Sequence, residues 1–147
     1  MHHVEIKILN TSDNAIPEYA TRGSSGLDLR ANLSATLTLK PMEREMIPTG
    51  LFLEIPEGYE VQIRPRSGLA SKHGITCLNT PGTVDSDYRG EIKIILINLS
   101  KEEYPINNGD RIAQMVVCKV ERAQLKPVLQ LDTTMRGEKG FGHTGTI

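Results

Sequence analysis

YEVQIRPRSGLASKHG, residues 59–74, contains both kinds of backbone that this chain can build. Tyr59 to Arg64 alternates apolar with polar side chains, the period of a half-buried strand. Pro65 ends that pattern, and SGLASKHG (67–74) offers one helical turn, opened by Ser67 as N-cap and closed by Gly74. It is the one segment where a helical turn is expected. Outward from it, VEIKIL (4–9), ATLTL (35–39), LFLEI (51–55), EIKIILI (91–97) and IAQMVVCKV (112–120) read as strands. PEG (56–58), PG (81–82), RG (89–90) and NNGD (107–110) punctuate them. Short strands at this spacing predict an all-β sandwich or barrel with one short helix.

At 147 residues, without repeats, low-complexity runs or an internal linker, one domain is expected. The 17 basic residues balance 18 acidic ones, so neither a nucleic-acid nor a membrane partner is expected. Cys77 and Cys118 lack CxxC or Cys/His spacing. One disulfide is conceivable, but two buried thiols in a reducing cytosol are the expectation. The start, MHHVEIKILN, has no apolar signal core, and no segment approaches the roughly 18 apolar residues of a membrane span. A soluble cytoplasmic protein is expected. With no Trp, two Phe and four Tyr, the core must rest on Ile, Leu and Val. Tyr88 and Phe141 fall outside the predicted strands and are free to face a ligand.

Four internal stretches carry possible chemistry. GSSGLDLRA (23–31) places Asp28 at a strand mouth, either as a turn cap or as a carboxylate beside a hydrated cation. RPRSG (64–68) sets Arg64, Arg66 and Ser67 before the helical turn. Helix N–H groups and guanidinium forks both favour phosphate, although a plain N-cap with a solvated arginine reads equally well. NTPGTVDSDYRGEIK (79–93) is the densest. Asp85, between Val84 and a serine, is either a charged hairpin end or a partly desolvated general base toward water. GDRIAQMV (109–116) sends Arg111 and Gln114 into an apolar strand, with a structural ion pair from Asp110 or a neighbour to Arg111 as the plainer reading.

The terminal run RGEKGFGHTG (136–145) contains G-x-G-x-x-G, but a dinucleotide turn must open a helix, and only Thr146 and Ile147 follow. Its glycines instead suit N–H groups converging on phosphate oxygens. No HxE…PCxxC pattern suggests a zinc deaminase, and neither GxSxG nor a Cys–His pairing suggests a covalent nucleophile. Anion donors, two acids and two free aromatics suggest a nucleoside polyphosphate attacked by water.

Five motifs, GSSGLDLRA, PRSGLASKHG, NTPGTVDSDYRGE, GDRIAQMV and RGEKGFGHTG, occur in an order and spacing that resemble the trimeric dUTPase family over essentially the whole chain. The resemblance implies a jelly-roll-like distorted β-barrel of the β-clip type, a homotrimer with three interfacial sites, and hydrolysis of dUTP to dUMP and pyrophosphate with Mg2+. It divides the chain into a barrel, 1–134, and a flexible glycine-rich arm, 135–147, of the same domain. By position, Asp85 resembles the general base that activates water, and Tyr88 the ring packed under the deoxyribose. Asn79 and the backbone of Thr83, Val84 and Asp85 match the uracil-reading hairpin, with Lys93 on the returning strand. Arg66, Ser67, Gly68 and Gln114 match phosphate contacts. Asp28 matches an acid that holds the metal only through water, the ion resting mainly on substrate phosphates. Arg136, Phe141, Gly142 and Thr144 fall on the closing arm. Two departures stand out, His143 where Ser is commonest and Ser25 where Ala is frequent.

The chemistry agrees with these assignments. A hairpin built for uracil leaves polar groups unpaired against cytosine, and such discrimination can reach roughly 10⁴. Magnesium favours phosphate oxygens and retained waters over a protein cage. Rival readings are a dCTP deaminase-like enzyme and a non-catalytic nucleotide-binding module on the same fold.

Overall fold

The structure, a computed structural model, describes residues 3–141. Ten strands and one helix are present among them. The strands are β1 (Lys7–Asn10), β2 (Leu27–Arg30), β3 (Leu37–Leu39), β4 (Arg44–Glu54) and β5 (Tyr59–Arg64), followed after the helix α1 (Ser67–His73) by β6 (Ile75–Cys77), β7 (Gly82–Val84), β8 (Glu91–Asn98), β9 (Tyr104–Ile106) and β10 (Arg111–Lys119). They form two four-stranded sheets, β1-β4-β8-β6 and β2-β10-β5-β7, and a β3-β9 ribbon. Every pairing is antiparallel, and most neighbours are distant in sequence, as in a jelly roll. The expected all-β, jelly-roll-like architecture with one short helix is the one observed.

Alternation builds the core. In β8, Ile92, Ile94, Leu96 and Asn98 are buried while Lys93 is exposed; in β5, Val61 and Ile63 point inward. Leu29, Leu39, Ile47, Val61, Ile75, Ile94, Leu96 and Ile106 join across both sheets in one aliphatic cluster with at most 1% exposure. Each such side chain contributes about 1.5–3 kcal/mol.

The sequence reading caught only the second half of β4. Pro48 and Gly50 discourage a strand prediction, and the structure accommodates them in a bulge. Pro48 pairs with Lys93 and Phe52 with Glu91, so three residues of β4 (49–51) pass one of β8, Ile92. Gly50 takes φ +70°, Thr49 Oγ1 donates to Ile92 O at 2.6 Å, and Gly50 N donates to the Glu91 carboxylate at 2.9 Å. Strands β6, β7 and β9, of three residues each, were also missed; β3, as short, was read only because alternation extends before it in ATLTL.

Ser67 is not the N-cap. Arg66 holds that position with extended backbone (φ −95°, ψ 128°), its carbonyl accepting from Ala70 N at 3.1 Å, and makes no side-chain cap bond. The helix therefore begins one residue earlier in register, and the Arg66 side chain is left for other work. Gly74 closes it in the left-handed region (φ 65°), as expected.

Both cysteines are free. Cys77 is buried in β6 and burial pushes its thiol up to about 11, whereas Cys118, expected to be buried, is only half-buried near the end of β10.

Asn98, fully buried, is the polar anchor of the fold. Its Nδ2 donates to Leu39 O (2.9 Å) and Glu102 O (2.8 Å), and its Oδ1 accepts from Ser100 N (2.9 Å) and Ser100 Oγ (2.8 Å). Asn98→Leu should strand these partners and lower unfolding free energy by about 2–4 kcal/mol in denaturant titrations, since each buried unsatisfied group costs ~1–3 kcal/mol. A loss below about 0.5 kcal/mol would show that water replaces the amide.

Candidate active site

The first group of polar residues is built by sheet register. Asp28 on β2 lies opposite Gln114 on β10, which lies opposite Arg64 on β5. Just past Arg64, Arg66 Nε donates to Asp28 Oδ1 at 3.0 Å and Nη1 to the Arg111 carbonyl at 3.1 Å. Arg111 Nη1 stands 3.6 Å from Asp28 Oδ2. The partner of Arg111 is thus Asp28; Asp110 instead accepts from Asn107 N at 2.8 Å. A bulge at Arg111–Ala113 explains this. On a regular strand the two would share a face, but here Ala113 is fully buried and Arg111 is turned out.

Around this ion cluster lies a cleft of about 360 Å³ lined by Asp28, Arg66, Ser67, Gly68, Lys72 and Gln114. Gln114 Nε2 donates to Pro65 O at 3.0 Å. Two guanidiniums and Lys72 outweigh the Asp28 charge, the Ser67 hydroxyl adds a donor, and Gly68 leaves its neighbourhood open. Chemically this is an anion site for a group with several oxygens. Lys72 was missed by sequence reasoning. Its signal was weak, a lysine five residues beyond Ser67 on the one short helix.

The second group sits on the β7 hairpin. Gly82, Thr83 and Val84 pair with Ile63, Gln62 and Val61. Val84 points into the core, so alternation turns Asp85 outward. The expectation of a partly desolvated Asp85 is therefore corrected: on this chain it is exposed. Tyr88 N donates to Asp85 O at 3.2 Å, Arg89 Nη1 donates to Ser86 O (2.7 Å) and Tyr88 O (3.0 Å), and the Tyr88 hydroxyl donates to Glu91 O at 3.0 Å. Tyr88 itself is 46% exposed. Asn79 precedes a cis Thr80–Pro81 bond and packs by the Gly82 backbone. Asp85, Ser86, Asp87 and Arg89 line a separate, larger concavity of about 710 Å³, with Arg122 on its rim.

One chain does not bring the two groups together. From the sheet order and registers, Val84 lies three strands across and three residues along from Asp28, roughly 14 Å and 10 Å. Lys93 joins neither cleft; its ammonium stands 3.7 Å from Glu91 on the outer face of β8. Arg136 Nε donates to Lys139 O at 2.8 Å within a terminal turn, and Phe141 is fully exposed with φ 44°. Gly142, His143 and Thr144 lie outside the described residues.

An antiparallel jelly-roll-like fold, with a cationic cleft beside its short helix and the β7 hairpin at the far edge of the same sheet, is of the all-β β-clip class. Comparison with known proteins narrows the class. A family model described as dUTPase matches residues 12–145. The deoxyuridine 5'-triphosphate nucleotidohydrolase of Finegoldia magna is 59% identical over 142 residues, 97% of this chain and 99% of that protein. Among solved structures, Staphylococcus bacteriophage 80alpha dUTPase with dUPNHPP superposes with a TM-score of 0.86 at 28% identity, covering 96% of this chain and 98% of that one. A mutant dUTPase from phage phi11 of S. aureus, described as revealing the coordination of a structural Mg(II) ion, gives 0.79 at 25% identity over 88% of this chain and 99% of its own. The chain belongs to the dUTPase family.

Replacing Arg66 with Lys keeps the charge but loses the fork that engages Asp28 and the Arg111 carbonyl together. Affinity for inorganic pyrophosphate, measured by calorimetry, should fall about tenfold, ~1.4 kcal/mol. An unchanged affinity would mean that charge alone holds the anion.

Proposed function

We propose that this protein hydrolyses dUTP to dUMP and pyrophosphate, as a homotrimer whose active sites combine residues of neighbouring subunits. The carrying observation is the separation just described: an anion cleft and the proposed base-and-sugar hairpin line two different hollows, at the two edges of one sheet. A further support is the segment after β10. Every residue from Lys119 to Phe141 is exposed, including Leu125 (88%), Leu129 (108%) and Leu131 (82%). Apolar side chains so placed favour a surface on another subunit. The arm, residues 135–147, then closes over the nucleotide, bringing Arg136 to the γ-phosphate, Phe141 onto uracil, and Gly142 and Thr144 over the phosphate chain.

In this reading Asn79 and the backbone from Thr83 to Asp85 read the edge of uracil, with Lys93 at most peripheral to them. Tyr88 underlies the deoxyribose and leaves no room for a 2′-hydroxyl. Arg66, Ser67, Gly68 and Gln114 hold the phosphates. The Asp85 carboxylate takes a proton from water as the water oxygen bonds to the α-phosphorus, and the bond to the bridging oxygen breaks to release pyrophosphate. Closure of the subunits and the arm over Asp85 excludes bulk water at that moment.

The residues fit magnesium carried on the triphosphate. Asp28 is the carboxylate of the anion cleft and already faces Arg66 and Arg111, which suits it to order a metal-bound water and not to ligate directly. When bound there, the ion would align the phosphates and relieve charge on the leaving pyrophosphate. Among the described residues no helix is long and apolar enough to cross a membrane. A cytoplasmic enzyme that keeps uracil out of DNA and supplies dUMP for thymidylate synthesis completes the proposal.

Incubation with dUTP, dCTP, dTTP and UTP plus magnesium, followed by product identification, tests the reading; deamination of dCTP or inert dUTP would overturn it. Asp85→Asn should reduce dUTP turnover by at least about 10³ while nucleotide binding stays within a few-fold, as read by calorimetry. A second expectation concerns the arm. A chain ending at Thr134 should keep a trimer mass in light scattering yet lose most hydrolysis, and full activity of that chain would remove the arm from the mechanism.

A further inference from the structure

Several glycines of the site-bearing motifs are not there for backbone freedom. Positive φ is confined, among the described glycines, to Gly50, Gly58, Gly74, Gly109 and Gly137. Gly26, Gly82 and Gly90 have φ values open to any residue, so their lack of a side chain needs another cause. The cause is a neighbour. A Cβ at Gly26 would collide with Gln114 Oε1, and one at Gly82 would come within 3.2 Å of Asn79 Nδ2 and of Ile63 Cβ. A Cβ at Gly90 would strike the Tyr88 hydroxyl and stand 2.9 Å from ring atom Cε2.

Gly90 is the sharpest of these cases. The obstacle at Gly26 is the tip of a flexible side chain, which can swing aside. Tyr88 cannot do so cheaply, because its ring is rigid and its hydroxyl is tied to Glu91 O at 3.0 Å. That carbonyl is fixed in turn, since Glu91 opens β8 and its own carboxylate accepts from Gly50 N at 2.9 Å. From below, Arg89 clamps the carbonyls of Ser86 and Tyr88. The ring thus lies down on bare backbone at Gly90, and its height above the hairpin is set by the absence of one carbon atom.

We propose that Gly90 is a positioning residue for sugar selectivity: it seats the Tyr88 ring against the hairpin backbone, and so fixes how much room is left beside the 2′-carbon of the bound nucleotide. This rests on the reading of the protein as a dUTP hydrolase with Tyr88 under the deoxyribose. Gly90 touches no substrate and acts only through Tyr88. A methyl group there pushes the ring off its seat, which changes discrimination between dUTP and UTP more than it changes phosphate binding.

The test is a double-mutant cycle of wild type, Gly90→Ala, Tyr88→Ala and the double variant. It measures kcat and KM for dUTP and UTP, pyrophosphate affinity, and Tm. Gly90→Ala should lower the dUTP-over-UTP ratio of kcat/KM on the order of tenfold or more, with pyrophosphate affinity unchanged. In the Tyr88→Ala background the same substitution should have no further effect on the ratio, which is the signature of action through one contact. Wild-type selectivity in Gly90→Ala, or equal losses in both backgrounds, overturns the proposal. Should Gly90→Ala fail to fold, a double variant melting like Tyr88→Ala supports the contact, and one that is equally unfolded makes Gly90 merely structural. Inert dUTP with wild type would instead bring down the reading of function, while the Tm cycle would still report whether Gly90 and Tyr88 are coupled.

Discussion

The placement of β10 between β2 and β5 is the constraint from which the rest of the structure follows. Its register puts Leu29 against Ala113 in the core and Asp28 against Gln114 at the cleft, while Ile63 meets Met115 and Arg64 meets Gln114 on the other side. A slip of one residue would exchange the two sets and bury an amide and a carboxylate in an aliphatic interior. Core packing and site geometry are thus enforced by the same ladder, and neither can change without the other. The bulge in the β2–β10 ladder, at Arg111–Ala113, releases one arginine from this rule and sends it to Asp28.

Much of this was legible in the sequence, for identifiable reasons. β5, β8 and β10 are six, eight and nine residues long, enough for period two to stand above noise. The left-handed cap at Gly74 was legible because one residue type dominates that geometry. What escaped depends on partners that local pattern cannot name. Pro48 reads as a strand breaker until β8 is seen to tolerate a bulge there. Ser67 reads as an N-cap until Arg66 is seen to hold that place in the backbone. Asp85 reads as half-desolvated until the burial of Val84 fixes its direction. The motifs name the candidate site residues as a set, but their separation into two places on one chain is a property of strand order, which the sequence does not display.

The two hollows also differ in charge. Beside α1, Arg66, Arg111 and Lys72 surround one carboxylate, whereas the hairpin concavity carries Asp85 and Asp87 against Arg89 and Arg122. Under the proposed assembly, a site split between subunits has a cost in concentration dependence, since dilution removes the site along with the oligomer.

Burial of the Cys77 thiol has a consequence of another kind. With its ionisation pushed up to about 11, only about one molecule in ten thousand carries the thiolate at neutral pH. The thiolate is the form that oxidants and alkylating metabolites attack. The Cys77 sulfur, sealed within the core, is therefore chemically silent for as long as the chain stays folded, and damage there records past unfolding, not exposure to oxidant.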